Sequence, residues 1–114
     1  MAARQFDPRP QTLPQARAFI RTRTRGSARA DDVELAASEL ATNAIRHART
    51  PFELSIEVAP KHIRVEVSDL SSRMPKLLKS GRRRHGLEIV ASIAERWGVD
   101  KLDDGKIVWA EFDH

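Results

Sequence analysis

Apolar residues recur along this chain with two different periods, and the changes between them mark out its elements. Leu13, Ala16, Phe19 and Ile20 are spaced for one face of a helix that runs to Arg25-Gly26. Thr12 and Gln15 ahead of them have the form of a capping box, with Pro14 tolerated in the first turn. Asp31, with Glu34 three residues on, opens a second helix in which Val33, Ala37, Leu40, Ala44 and Ala48 keep a helical period until Pro51. Beyond Pro51 the period drops to two. Phe52, Leu54, Ile56 and Val58 alternate with Glu53, Ser55 and Glu57, and after a turn at Ala59-Pro60-Lys61 the alternation resumes in Ile63, Val65 and Val67. These are two antiparallel strands with one wet face. From about residue 70 to 85 neither period holds, which predicts a long loop. Leu87, Val90, Ala91, Ala94 and Trp97 predict a third helix ended by Gly98, and Val99 to Leu102 and Lys106 to Phe112 flank a hairpin turn at Asp103-Asp104-Gly105. Arg4 to Asp7 is an edge strand stopped by Pro8 and Pro10.

The resulting order is β-α-α-β-β-α-β-β. Hairpin-joined strands with grouped helices predict an α+β two-layer sandwich, a mixed or mostly antiparallel sheet covered on one face by three helices. At 114 residues the chain reads as one domain, residues 1–114, and the absence of cysteine removes disulfide scaffolds, zinc fingers and thiol chemistry. No apolar run approaches the roughly 18 residues of a membrane span, and Met1-Ala2-Ala3-Arg4-Gln5 lacks the apolar segment of a signal peptide. A cytoplasmic protein with no membrane partner is the expectation. The 20 basic residues exceed the 16 acidic ones only slightly, and the run Arg21-Thr22-Arg23-Thr24-Arg25 suits the negative end of a helix dipole. Direct nucleic-acid binding is therefore not expected, while Arg82-Arg83-Arg84, beside a loop glycine, is a candidate phosphate contact.

Three places carry candidate chemistry. Glu39, Asn43 and His47 form a polar stripe along the second helix, next to its apolar face. A carboxylate and a carboxamide one turn apart suit a magnesium nucleotide, since hard cations take oxygen ligands and a carboxylate can deprotonate a nucleophile; a solvated helix flank is the plainer alternative. Asp69 continues the parity of Ile63, Val65 and Val67, which turns a carboxylate toward the core, where it needs strong donors such as an exocyclic amino group. Alternatively the strand ends at Ser68, and Asp69 caps the following turn with Ser71 or Ser72. Gly86 and Leu87 open the third helix, where backbone N–H groups can meet a phosphate. His47, His62, His85 and His114 have no metal-ligand spacing.

The string Glu39-Leu40-Ala41-Thr42-Asn43-Ala44-Ile45-Arg46-His47-Ala48 resembles the N-box of the Bergerat-fold (GHKL) ATPases, the family of gyrase and the histidine kinases. Val67-Ser68-Asp69 and Arg84-His85-Gly86-Leu87 resemble its two glycine boxes. Arg96-Trp97-Gly98 and Gly105-Lys106-Ile107-Val108-Trp109 are similar to strings of the small stand-alone members related to anti-sigma-factor serine kinases. The resemblance spans essentially the whole chain and implies the Bergerat, or histidine-kinase-like ATPase, fold.

It also implies roles. Asn43 would bind magnesium and through it the triphosphate of ATP, with Glu39 as base toward an attacking hydroxyl or water. His47 belongs to the nucleotide-binding helix, Asp69 would read adenine N6, and Met74 would line the adenine pocket. Residues from about 70 to 85 would form an ATP lid, and Arg84, Gly86 and Leu87 would hold phosphate. Ser71 and Arg73 stand where the wider family has glycines, and Ile107 where it has an adenine-binding threonine. The implied partners are a sigma factor and a STAS-type anti-anti-sigma protein whose serine is the acceptor, with a homodimer as a further implication. No helix pair bearing a phospho-acceptor histidine precedes the domain, so free histidine-kinase activity is not expected. The alternative function is a nucleotide-deficient module that keeps the fold and only sequesters a partner.

Overall fold

The computed structural model describes residues 1–73 and 86–114. Its strands are β1 (Ala2–Phe6), β2 (Phe52–Val58), β3 (His62–Asp69), β4 (Arg96–Leu102) and β5 (Gly105–Asp113), and its helices α1 (Leu13–Arg23), α2 (Ala30–Asn43) and α3 (Gly86–Ile93). The sheet is antiparallel throughout, in the order β1-β2-β3-β5-β4, with the three helices on one face. This is the two-layer α+β sandwich that the periods predict. The expected positions Met74 and Arg84, and most of the 70–85 lid, lie outside the described residues.

The dry layer follows from the alternation. Phe52, Leu54 and Ile56 of β2, Ile63, Val65 and Val67 of β3, and Val108, Ala110 and Phe112 of β5 are all buried. Against them α2 sets Val33, Ala36, Ala37, Leu40 and Ala41, α1 sets Ala16, Phe19 and Ile20, and α3 sets Leu87 and Val90. At the β1 edge, Phe6 stacks on Phe52 with ring centroids 5.6 Å apart.

The helix starts differ from the expectation. Thr12 closes a short 3-10 turn, Pro10–Thr12, and its hydroxyl donates back to the carbonyls of Arg9 (2.8 Å) and Asp7 (3.3 Å), so no capping box forms with Gln15. In α2 the chain becomes helical one residue before Asp31, after a turn in which Ser27 Oγ accepts the Arg29 N–H at 3.1 Å. Asp31 and Asp32 then lie in the first turn, where the helix dipole favours them, and Glu34 turns outward to bind Arg21 of α1 at 2.6 Å. The helical pattern expected up to Pro51 is interrupted: α2 ends at Asn43 and Ala44–Ala48 form one π-helical turn. Arg49, at φ 57°, closes that turn by donating its N–H to Ala44 O at 2.9 Å.

The third helix is shorter than expected. It stops at Ile93, and the Glu95 N–H already donates to Glu111 O, so Arg96, Trp97 and Gly98 belong to β4. Gly98 is a strand glycine with a packing reason. A Cβ there would stand 2.7 Å from Trp109 Cζ2, so the indole lies directly over its backbone. The junction is fastened by Arg29, which pairs with Glu95, donates to Ile93 O (2.8 Å) and Asp113 O (2.9 Å), and places its guanidinium 5.3 Å from the Phe112 ring centroid.

On the open face of the sheet, Arg64 bridges Glu66 (2.7 Å) and Glu111 (3.0 Å), and Arg96 bridges Glu111 (2.7 Å) and Asp113 (2.5 Å). Arg96 and then Arg64 hold the Glu111 carboxyl below its ordinary range, Arg96 does the same for Asp113, and Arg29 for Glu95. With folded pKa values depressed, these carboxylates stabilise the fold above the unfolded value of about 4 and lose that contribution as the pH falls through the folded values. Thermal melts should therefore hold a plateau above about pH 5 and fall below about pH 4, the acid fall being shallower in Glu111→Gln; a midpoint flat to about pH 2 would contradict this.

Candidate functional site

Helix α2 packs on α3 and on β3, and its Glu39 meets the first residue of α3. Glu39 and Asn43 are one helical turn apart on α2, leave it on the same side and are half-buried, while Leu40 beside them is in the core. Glu39 leans on the first residue of α3. An ideal Cβ at Gly86 would stand 2.5 Å from Glu39 Oε2 and 3.1 Å from Glu39 Cβ, so the missing side chain makes room for the carboxylate. The free N–H groups and positive dipole end of a helix N-terminus favour negative charge there. Leu87 buries its side chain in the core, at 2% exposure, and so offers a ligand only its backbone.

Asn43 is the last residue of α2, and the π-helical turn that follows carries His47 to an exposed position. His47 lines an open cleft with Ala48, Arg49, Ser71, Ser72 and Arg73. It is thus separated in environment from the half-buried Glu39 and Asn43, although sequence spacing puts all three on one stripe. The extra residue in the π turn rotates the stripe at that point.

Asp69 is the last residue of β3 and 4% exposed. Both alternatives for it hold together: its side chain turns into the dry layer, and Oδ1 also accepts the Ser71 N–H at 2.9 Å, capping the turn. The donor that balances its charge is Lys106, a residue that sequence reasoning passed over. Lys106 Nζ lies 2.9 Å from Asp69 Oδ1 and 3.5 Å from Ser71 O, and the residue is only 6% exposed. The signal was present in the alternation of Lys106, Val108, Ala110 and Phe112, which puts the lysine on the buried face. The ladder pairs Asp69 with Lys106, and Ser68 with Ile107 on the open face, so the residue facing Asp69 is Lys106 and not Ile107. Gly105, at φ 148°, lets this crossing happen, since a Cβ there would stand 1.9 Å from Asp69 O.

A profile of the histidine kinase-like ATPase domain matches residues 6–112, and the chain belongs to that family. Among solved structures, the RsbU and RsbW domains of Rv1364c from Mycobacterium tuberculosis match with a TM-score of 0.73 at 15% identity, over 98% of this chain and 32% of that one. The histidine kinase domain of the blue-light activated histidine kinase EL346 from Erythrobacter litoralis matches with a TM-score of 0.56 at 20% identity, over 90% of this chain and 59% of that one. This chain thus spans about a third of the first structure's length, and likeness at these identities is a likeness of fold. No match is found among curated proteins.

Domains of this family use ATP with magnesium. The donor set around Glu39 and Asn43 fits a hard cation held together with phosphate oxygens, and the space that a Cβ of Gly86 would take is filled by the Glu39 carboxylate. Among the described residues no three of His, Asp and Glu cluster to hold a metal unaided, so such a cation would take its remaining ligands from phosphate and water. At the other end, Asp69 keeps Oδ2 outside its contacts with Lys106 and Ser71, which both fall on Oδ1.

The two glycines give unequal expectations. Gly86→Ala meets the movable Glu39 carboxylate at 2.5 Å and Glu39 Cβ at 3.1 Å, a crowding that a shift of a few tenths of an ångström relieves, and should cost about 1 kcal/mol. Gly105→Ala meets backbone in a left-handed conformation and should cost at least about 3 kcal/mol. Urea denaturation of both variants checks the contrast, and equal losses would contradict the geometry.

Proposed function

We propose that this chain is an ATP-binding, anti-sigma-factor-like regulator, a protein serine kinase that acts on an anti-anti-sigma partner and alternately sequesters a sigma factor. The observation that supports the reading is the packing of Glu39 against Gly86, which sets a carboxylate with no partner among the described residues beside the N-terminus of α3. In this reading Glu39 takes the proton of the attacking serine hydroxyl at a carboxylate oxygen. Asn43 holds magnesium through its amide oxygen, and the metal, when bound, supplies charge neutralisation between phosphate oxygens. The N–H groups of Gly86 and Leu87 hold phosphate, and Asp69 Oδ2 accepts from the adenine amino group. His47 shares an open cleft with Arg49 and Arg73, whose positive charge suits a polyphosphate.

A second reading, a module that binds a partner and no nucleotide, is favoured by the Asp69–Lys106 pair, because it already satisfies the carboxylate that would read adenine. Calorimetric titration with ATP, with and without magnesium, separates the two. The kinase reading expects magnesium-dependent micromolar binding, lost in Asn43→Ala with the melting temperature retained, and kept in Glu39→Gln with phosphoryl transfer lost. No heat and no thermal shift at millimolar ATP would leave the second reading.

A further inference from the structure

Strand β1 forms one edge of the sheet and pairs only with β2, so among the described residues the hydrogen-bonding groups along its other side meet no strand. Ala2, Arg4 and Phe6 point to the helical layer, opposite Ile56, Leu54 and Phe52, which are all buried. Arg4 holds an inward position and is nevertheless exposed, because α1 packs chiefly over β2. That leaves an open groove of about 450 Å³ between strand and helix, lined by Arg4 and by Gln15, Ala18, Phe19, Thr22 and Arg23 of α1, with no Asp or Glu in its lining. Both arginines are held in place. Arg23 lies 3.9 Å from the Phe19 ring centroid and donates to Phe19 O at 3.1 Å, and Arg4 lies 5.1 Å from the Phe6 centroid. Neither meets a carboxylate among the described residues, whereas Arg9, Arg21, Arg29, Arg64 and Arg96 all do.

We propose that the free edge of β1 docks an acidic, extended segment of a partner protein, which adds a strand to the sheet and turns its carboxylates into the groove that Arg4 and Arg23 line. The groove shares no residue with the candidate nucleotide site, so the inference does not rest on the nucleotide reading. Two features select such a partner. A strand edge offers main-chain donors and acceptors in the spacing that an extended peptide matches, and alternate side chains of an added strand then point to the groove side. The arginines supply the sign, since opposite charges on neighbouring strands attract and like charges repel. An inward charge on an edge strand is by itself a device against pairing between copies of one chain, and two β1 strands paired about Arg4 would set arginine against arginine. Arg23 lies on the helix and plays no part in that device. With Arg4 it makes a groove that refuses a like edge and accepts an acidic one. Each guanidinium already lies over a ring, so little side-chain freedom is lost when the anion arrives.

The test titrates three probes into the isotope-labelled full chain at low salt, followed by NMR: a short peptide alternating valine and glutamate, its lysine counterpart, and the glutamate peptide with every backbone N–H methylated. The glutamate peptide should shift the amides of β1 and of α1 from Gln15 to Arg23, with a dissociation constant below about 1 mM that weakens as salt is raised. Both other peptides should bind at least about tenfold more weakly, the first for its charge and the second because it cannot donate to the strand edge. Arg4→Glu and Arg23→Glu should each weaken the glutamate peptide about tenfold with the melting temperature kept. No shifts up to about 1 mM, shifts centred on the cleft of His47, Arg49 and Arg73 instead, or undiminished binding of either control peptide overturns the inference. Displacement of the glutamate peptide by an equal concentration of a single-stranded oligonucleotide also overturns it, and makes the groove a general anion surface. The shift map and the peptide comparison decide even if an arginine variant fails to fold.

Discussion

The small side chains on the inner face of α2 set the spacing on which the rest of the structure depends. Ala36, Ala37 and Ala41 are fully or almost fully buried, with Val33 and Leu40 the only larger groups on that face of the helix. A helix with such a face can lie close to a sheet built from Val, Ile and Leu, and a protein interior tolerates no gap between them. Drawing α2 down onto β3 also draws in α3, whose Leu87 and Val90 fill the space beside it. Glu39 sits where the apolar stripe of α2 meets α3, which is why the first residue of α3 is one without a side chain.

The dry layer admits few polar groups, and those it admits are partnered. Thr24 donates to Ile20 O, Ser38 accepts from Arg17 Nε, and Asp69 and Lys106 neutralise each other. The last arrangement has the largest consequence. Removing one member of a buried ion pair commonly costs about 3–5 kcal/mol, because the other charge is left unpaired in a medium that cannot solvate it. The open face of the sheet is organised by other means. There Trp109 lies over Gly98 with the Arg64 guanidinium 4.3 Å from its ring, and the ion pairs of Arg64 and Arg96 run alongside.

The sequence was legible where a period ran for more than two turns or three alternations. Strands β2, β3 and β5 and the body of α2 follow directly from their apolar positions, and so does the one-sided architecture. Legibility fails at the ends of elements, where local signals have two meanings. Gly98 carries the same letter whether it stops a helix or lies under an indole, and only the tertiary position of Trp109 decides. Thr12 has the sequence of a cap, but the 3-10 turn before it supplies closer acceptors. Of the candidate site, Glu39, Asn43, Asp69 and Gly86 were singled out from spacing and resemblance, and the structure sets Glu39 of α2 against Gly86 of α3. Lys106 was readable from strand parity and was missed because lysine is so seldom a core residue.

The two ends of the candidate site differ in what their residues say about function. Asp69 and Lys106 hold each other in place: neither can be replaced alone without stranding a charge in the core, so the fold by itself accounts for the aspartate, whatever it does or does not bind. Glu39 is different. Among the described residues no side-chain cation or donor pairs with it, it is only half-buried, and what favours its charge is the N-terminus of α3. The positive dipole end of that helix suits a negative group, and the glycine that opens it leaves room for the carboxylate. A charged group at a helix junction, with no ion-pair partner among the described residues and opposite a backbone without a side chain, sets this end of the candidate site apart from the self-neutralised pair at the other.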